Sequence, residues 1–250
     1  MCIILFSIKP NSQYQLVLAS NRDEYYNRIT AKASPWNNEC IIGGLDLSKQ
    51  IMGTWLVITY DGRLGAITNN IVNPGGTFKT SRGTLVTDYL RGKINPLNYL
   101  TEIDNHKNDY DGFNLLLGNY NELWCYSNKE INFAYSQIEP KRVYGLSNNF
   151  LDVPWWKVTT SKNRMTNLFK SEVDQSLMEE SLFNMLMDKT KPPVNENAIF
   201  VEDTINNYST KSSTIILIDN NLNCTFIERT YQGQSYDDIK FTWNIDDYLK

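Results

Sequence analysis

A chain of 250 residues with 41% hydrophobic and 12% aromatic content carries enough apolar material for one large core. Its net charge of −4, pI near 5.2 and lack of any basic run longer than Lys141-Arg142 argue against a nucleic-acid surface as the main function. Apolar runs such as Cys2–Phe6 fall far short of the roughly 18–20 residues of a membrane span, and no basic, apolar leader opens the chain. A soluble, cytoplasmic protein is expected.

In chain order, two apolar runs, Cys2–Ile8 and Tyr14–Ser20, flank the turn-prone KPNSQ and read as a hairpin. The polar tetrad Asn21-Arg22-Asp23-Glu24 closes the second run as a strand-end turn. Antiparallel pairing brings Cys2 beside that tetrad. If Met1 is removed, Cys2 carries both a thiol and an α-amine of reference pKa about 7.7–8.0, a nucleophile with its own base. Cys2 alone better suits a small buried strand residue, and its predicted proximity to the tetrad brings the two readings level.

Tyr25–Asn38 reads as irregular, with Pro35-Trp36 as a packing corner, and Cys40–Leu47 as a strand. Asp61-Gly62 between apolar alternations predicts a second hairpin that delivers Asn69 and Asn70 at its exit. The Gly-rich stretch 73–77 reads as a loop. Helices are expected after Thr80 or Ser81, stopping at Gly92, and after the Asn95-Pro96 cap. Three strands follow (GFNLLLGNY, ELWCYS, INFAYSQI), then a short one, Val143–Leu146, that exits at Ser147-Asn148-Asn149.

Trp155–Lys170 reads as the longest helix. In the next, Ser176 and Glu179 have capping-box spacing, and Leu177, Leu182, Met185 and Leu186 form an apolar face. Thr190–Tyr208 reads as a mobile insertion. Ser213–Ile218, Cys224–Tyr231 and the alternation of Phe241, Trp243 and Ile245 complete the strands. The expected class is α+β: a single domain over residues 1–250, built as a four-layer αββα sandwich of two mostly antiparallel sheets with helix pairs outside.

Cys2, Cys40, Cys125 and Cys224 are too scattered for a zinc site or a disulfide framework, so no metal is expected. The single histidine, His106, lies in a polar loop-like stretch and is a poor triad member.

Seven landmarks occur in order along the chain: MCIILF, the Asn21–Glu24 tetrad, GTWL (Gly53–Leu56), SRGTLV (Ser81–Val86), YDGFNLL (Tyr110–Leu116), YGLSN (Tyr144–Asn148) and PWWK (Pro154–Lys157). Together they resemble the NRDE family. That resemblance implies a fold like the N-terminal-nucleophile hydrolases, nearest to the bile-salt-hydrolase and acid-ceramidase type. By motif, Cys2 then matches the nucleophile, Asn21 the motif asparagine, and Asp23 the residue orienting thiol and amine. Asn69 and Asn148 match the oxyanion asparagines. Asn21, Arg22, Glu24, Asn70 and Lys211 form the implied ligand-binding set.

Three departures stand out. Ser20 occupies the place of an arginine in those hydrolases, so Arg22 would have to replace it. Met52 stands where the family usually has a second glycine. Lys211 stands where it favours arginine, keeping the charge but losing the bidentate fork. The resemblance implies handling of a small hydrophobic or acylated ligand at Cys2, with haem mobilisation or acyl-CoA and lipid handling. It also implies effects on Golgi organisation and secretion, and association with mitochondria or Golgi. No cofactor is required; haem enters as a ligand. The alternative is a cysteine amidohydrolase acting on a small amide such as an N-acyl compound.

Overall fold

The computed structural model describes residues 2–37, 39–48, 53–72, 80–92, 94–130, 135–193 and 196–249. The chain opens with β1 (Ile3–Ile8) and β2 (Tyr14–Tyr25). It continues through β3 (Thr30–Pro35), β4 (Ile41–Asp46), β5 (Leu56–Thr59) and β6 (Arg63–Asn69) to α1 (Thr84–Gly92) and α2 (Pro96–Asn105). Strands β7 (Phe113–Asn119), β8 (Leu123–Ser127), β9 (Tyr135–Gln137) and β10 (Tyr144–Leu146) follow, then α3 (Trp156–Leu168) and α4 (Gln175–Leu186). The last strands are β11 (Glu202–Asp203), β12 (Tyr208–Asp219), β13 (Asn223–Gln232) and β14 (Ser235–Asn244). Two compact units result; among the described residues each holds one seven-stranded sheet and two α-helices, an α+β architecture.

The first unit comprises Met1–Asn27, Glu139–Ser147 and Leu151–Asn244. Its sheet runs β10-β1-β2-β12-β13-β14, with β11 added to β12. The opening hairpin pairs Ile3 with Asn21 and Ile8 with Leu16. Asn11 shapes its turn by accepting from the amides of Gln13 and Tyr14. Every residue of β1 is buried, so its run of apolar side chains is the pattern of a strand covered on both faces. The tetrad is not a strand-end turn, because β2 runs through it to Tyr25. Its backbone pairs with β12, Asp23 opposite Thr210 and Asn21 opposite Ser213.

On one sheet face Ile3, Leu5, Val17, Ala19, Ile215 and Leu217 pack against Val158 and Met165 of α3 and Met178, Leu182 and Leu186 of α4. Full burial of each such side chain contributes about 1.5–3 kcal/mol. The cap of α4 lies two residues earlier than its sequence suggested. Asp174 accepts from the Leu177 amide at 2.8 Å, leaving Ser176 inside the helix. Leu182, Met185 and Leu186 are buried as expected, but Leu177 is exposed and Met178 takes its place in the core. The segment read as a mobile insertion also contributes to the core. Ile199, Phe200 and Val201 are buried, the Phe200 amide donates to Asp188, and β11 pairs with β12.

The second unit comprises Arg28–Ile138, Asn148–Phe150 and Ile245–Lys250, with sheet order β3-β4-β5-β6-β7-β8-β9. Val57, Phe113, Leu115 and Leu117 meet Leu85, Val86, Tyr89 and Leu100 of α1 and α2. The Asp61-Gly62 turn joins β5 to β6, and Gly62 sits at φ +82, where a Cβ would press on Tyr120 at 2.7 Å. Arg63 donates to the carbonyls of Tyr89 and Leu90 near the C-terminus of α1, and Asn95 caps α2 through the amides of Leu97 and Asn98. The stretch read as irregular holds β3, which pairs with β4 across a register shift. Trp36 anchors its end by donating to the Gly43 carbonyl. Residues 73–77, Met52, and the first half of INFAYSQI lie outside the described residues.

Candidate functional site

Within the first unit, Cys2 precedes β1 and is half-buried. Its sulfur stands 3.8 Å from the main-chain carbonyl of Asp23, not from the carboxylate. Burial pushes the thiol up from its ordinary range, and the Asp23 charge adds to that. The Cys2 carbonyl accepts from the Ser147 hydroxyl at 2.6 Å and from Lys157 Nζ at 3.4 Å. These two contacts tie a residue lying just outside the sheet ladder to β10 and α3.

Alternation along β2 divides the tetrad between two faces. Asp23 and Asn21 share one. Asp23 Oδ1 accepts from the Thr210 hydroxyl at 2.7 Å, and the Asp23 carbonyl accepts from the Tyr208 hydroxyl at 2.9 Å. Burial raises the Asp23 carboxyl; Lys157 and the Thr210 hydroxyl pull it back down. Asn21 donates both amide protons, to the carbonyls of Leu186 at 2.8 Å and Ile199 at 2.9 Å. Its Oδ1 accepts from Ser213, whose hydroxyl also meets Tyr231. Asn21 therefore ties the end of α4 and the 199–201 segment to the sheet.

Arg22 and Glu24 occupy the other face and pair at 3.6 Å. A register shift between Thr210 and Ser212 leaves Lys211 as an extra residue on β12, and its ammonium lies 5.4 Å over the Tyr26 ring.

The implied oxyanion asparagines belong to the second unit. Asn69 ends β6, exposed, and its carbonyl accepts from Asn148 Nδ2 at 2.8 Å. Asn148 is buried, with Oδ1 lacking a partner among the described residues. Asn70 donates to Asn114 and Ser127 and accepts from the Val72 amide, a turn-forming role.

Three residues bonded to Cys2 or Asp23 were not singled out by sequence: Ser147, Thr210 and Lys157. Ser147 and Lys157 fall inside YGLSN and PWWK, but nothing in a single sequence shows that two motifs so far along the chain meet at Cys2. Lys157 is 2% exposed, and burial draws its amine below the usual lysine range.

Residues 1–233 match the family Transport and Golgi organisation 2. This chain belongs to that family. The mouse Transport and Golgi organization 2 homolog is 33% identical over 263 residues, covering 92% of this chain and 93% of its own. The human homolog is 32% identical over 266 residues with the same coverage, and the Drosophila melanogaster protein 27% identical over 266. Among solved structures, a mutant of conjugated bile acid hydrolase from Clostridium perfringens matches with a TM-score of 0.52 at 10% identity. That match covers 98% of this chain and 97% of the hydrolase. A second variant of that enzyme matches with a TM-score of 0.53. At such identity the likeness is one of fold, which this Transport and Golgi organisation 2 member shares with conjugated bile acid hydrolase over nearly the whole chain.

Proposed function

We propose that the protein binds a small hydrophobic or acylated ligand, haem or a long-chain acyl-coenzyme A, at the Cys2 end of its first unit. The binding serves Golgi organisation and secretion, in the cytoplasm or in association with mitochondria or Golgi. The observation that carries this reading is the state of the thiol. Its contact is a main-chain carbonyl, burial keeps it protonated at neutral pH, and Asp23 Oδ1 is engaged by Thr210. A protonated sulfur held this way suits contact with a ligand better than attack on one. For haem, the donors at this end are the Cys2 thiol and the Lys157 amine, since the one histidine, His106, is exposed in the other unit.

Titration of haem and of a long-chain acyl-coenzyme A against wild type, Cys2→Ala and Asp23→Ala tests the reading. Saturable binding, weakened in the variants, is expected. Failure of both ligands to saturate the wild type removes it.

The second reading, a cysteine amidohydrolase, is favoured by one observation: the likeness in fold to conjugated bile acid hydrolase over nearly the whole chain. Cys2 would attack an N-acyl amide carbonyl and its own α-amine, freed by loss of Met1, would carry the proton to the leaving nitrogen. Asp23 would orient the thiol. Intact mass and an N-acyl amide screen of wild type against Cys2→Ala decide it. Retention of Met1, or turnover surviving loss of the thiol, refutes this mechanism.

A further inference from the structure

Lys157 has so far entered a functional reading only as a donor to haem, and neither reading accounts for the burial of its ammonium. It sits in the first turn of α3, almost wholly buried. An ammonium has three donors to satisfy. Among the described residues, Lys157 Nζ makes one hydrogen bond, to the Cys2 carbonyl at 3.4 Å. That bond is long, and the same carbonyl already takes the Ser147 hydroxyl at 2.6 Å.

No carboxylate pairs with the ammonium among the described residues. Asp23 acts on it at longer range while its Oδ1 accepts from Thr210, and Glu196 Oε2 accepts from the Trp156 amide at 2.6 Å. A buried cation with two donors unmatched among the described residues is strongly disfavoured as mere packing, where a methionine of similar length would serve better. Its one contact points it at the residue that carries the thiol. Beside it the Trp155 ring, 6.0 Å from Nζ, packs on the apolar core.

We propose that Lys157 receives the anionic oxygen head of the ligand, a carboxylate borne on an apolar chain, its two unmatched N–H donors taking the two oxygens. This rests on a ligand being bound at Cys2 and names the chemistry by which it is held. Burial depresses the amine against the opposing pull of Asp23, Cys2 and Glu196, so an arriving carboxylate would raise its midpoint.

The test uses the full chain and octanoate, with octanol as the uncharged control, followed by protection of Cys2 from a thiol reagent. Exposed Cys40 is the internal standard, and buried Cys125 and Cys224 report on folding. Octanoate is expected to slow Cys2 labelling saturably and octanol to have little effect at the same concentration. Lys157→Met should weaken octanoate about tenfold or more, the loss of a charge-assisted hydrogen bond, and Lys157→Arg should restore most of it.

Equal protection in Lys157→Met, or no protection of the wild type, overturns the proposal. If Lys157→Met exposes Cys125 and Cys224, 15N-lysine NMR of the wild type decides, an unchanged Lys157 midpoint on adding octanoate being fatal. Octanoate protection without haem or acyl-coenzyme A binding would sink those ligands and leave this inference standing. Haem or acyl-coenzyme A binding indifferent to Lys157 would do the reverse.

Discussion

Asn21→Ala should be among the most damaging single substitutions in the chain, although Asn21 belongs to the polar tetrad. The side chain is 0% exposed and makes three hydrogen bonds, to the carbonyls of Leu186 and Ile199 and from the Ser213 hydroxyl. Alanine leaves the two carbonyls without that donor in a site too enclosed for easy hydration. Ser213 keeps its contact with Tyr231 and suffers less. A buried group left unmatched costs about 1–3 kcal/mol, so the loss should total about 3–5 kcal/mol. That is a large part of the roughly 5–15 kcal/mol by which a domain is stable. Urea unfolding followed by circular dichroism measures it, and hydrogen exchange at Phe200, whose amide bonds to Asp188, should show the 199–201 segment loosening first. A loss below about 1 kcal/mol, the cost of an ordinary point mutation, would refute the reasoning.

Three further outcomes follow from the same geometry. At neutral pH a thiol reagent should modify exposed Cys40 before half-buried Cys2, with Cys125 and Cys224 protected until unfolding; Cys2 reacting first would contradict the raised thiol. Burial raises the folded-state pKa of Asp23, so the folded form binds more protons than the unfolded form above the ordinary carboxylate range. Its contribution to stability is therefore complete at acid pH and is lost as pH rises through the folded pKa. Denaturation midpoints at pH 3 and pH 7 should show Asp23→Asn gaining on wild type toward neutrality, and a parallel pair of curves would refute this. Asp174→Ala should cost about 1 kcal/mol through loss of the α4 cap, and Ser176→Ala markedly less; the reverse order in thermal melts would restore the capping-box reading.

The opening hairpin, the Asp61-Gly62 turn and the Asn95 cap were legible because each is a local pattern whose chemistry lies within a few residues. The tetrad was misread as a turn for want of a distant partner. Its buried polar groups are acceptable in a strand because Thr210 and Ser213 meet them from the far end of the chain. Ile199–Val201 was lost in a polar, proline-bearing stretch for the same reason, as its partners are Asn21 and β12. At the site, Cys2 and Asp23 could be paired from hairpin register alone. Lys157 could not, because a lysine beside two tryptophans on a helix gives no local sign that its amine is buried.

The extra residue on β12 has a consequence for parity. Asn21 and Asp23 are two apart and look the same way, whereas Ser213 and Thr210, which serve them, are three apart and in a regular strand would look opposite ways. Insertion of Lys211 is what reconciles an even spacing with an odd one. Position 211 should thus tolerate exchange of its side chain while forbidding its removal, since a deletion there would swing one of the two hydroxyls to the wrong side of the sheet. What the fold guards at this point is a count of residues and not a chemical identity.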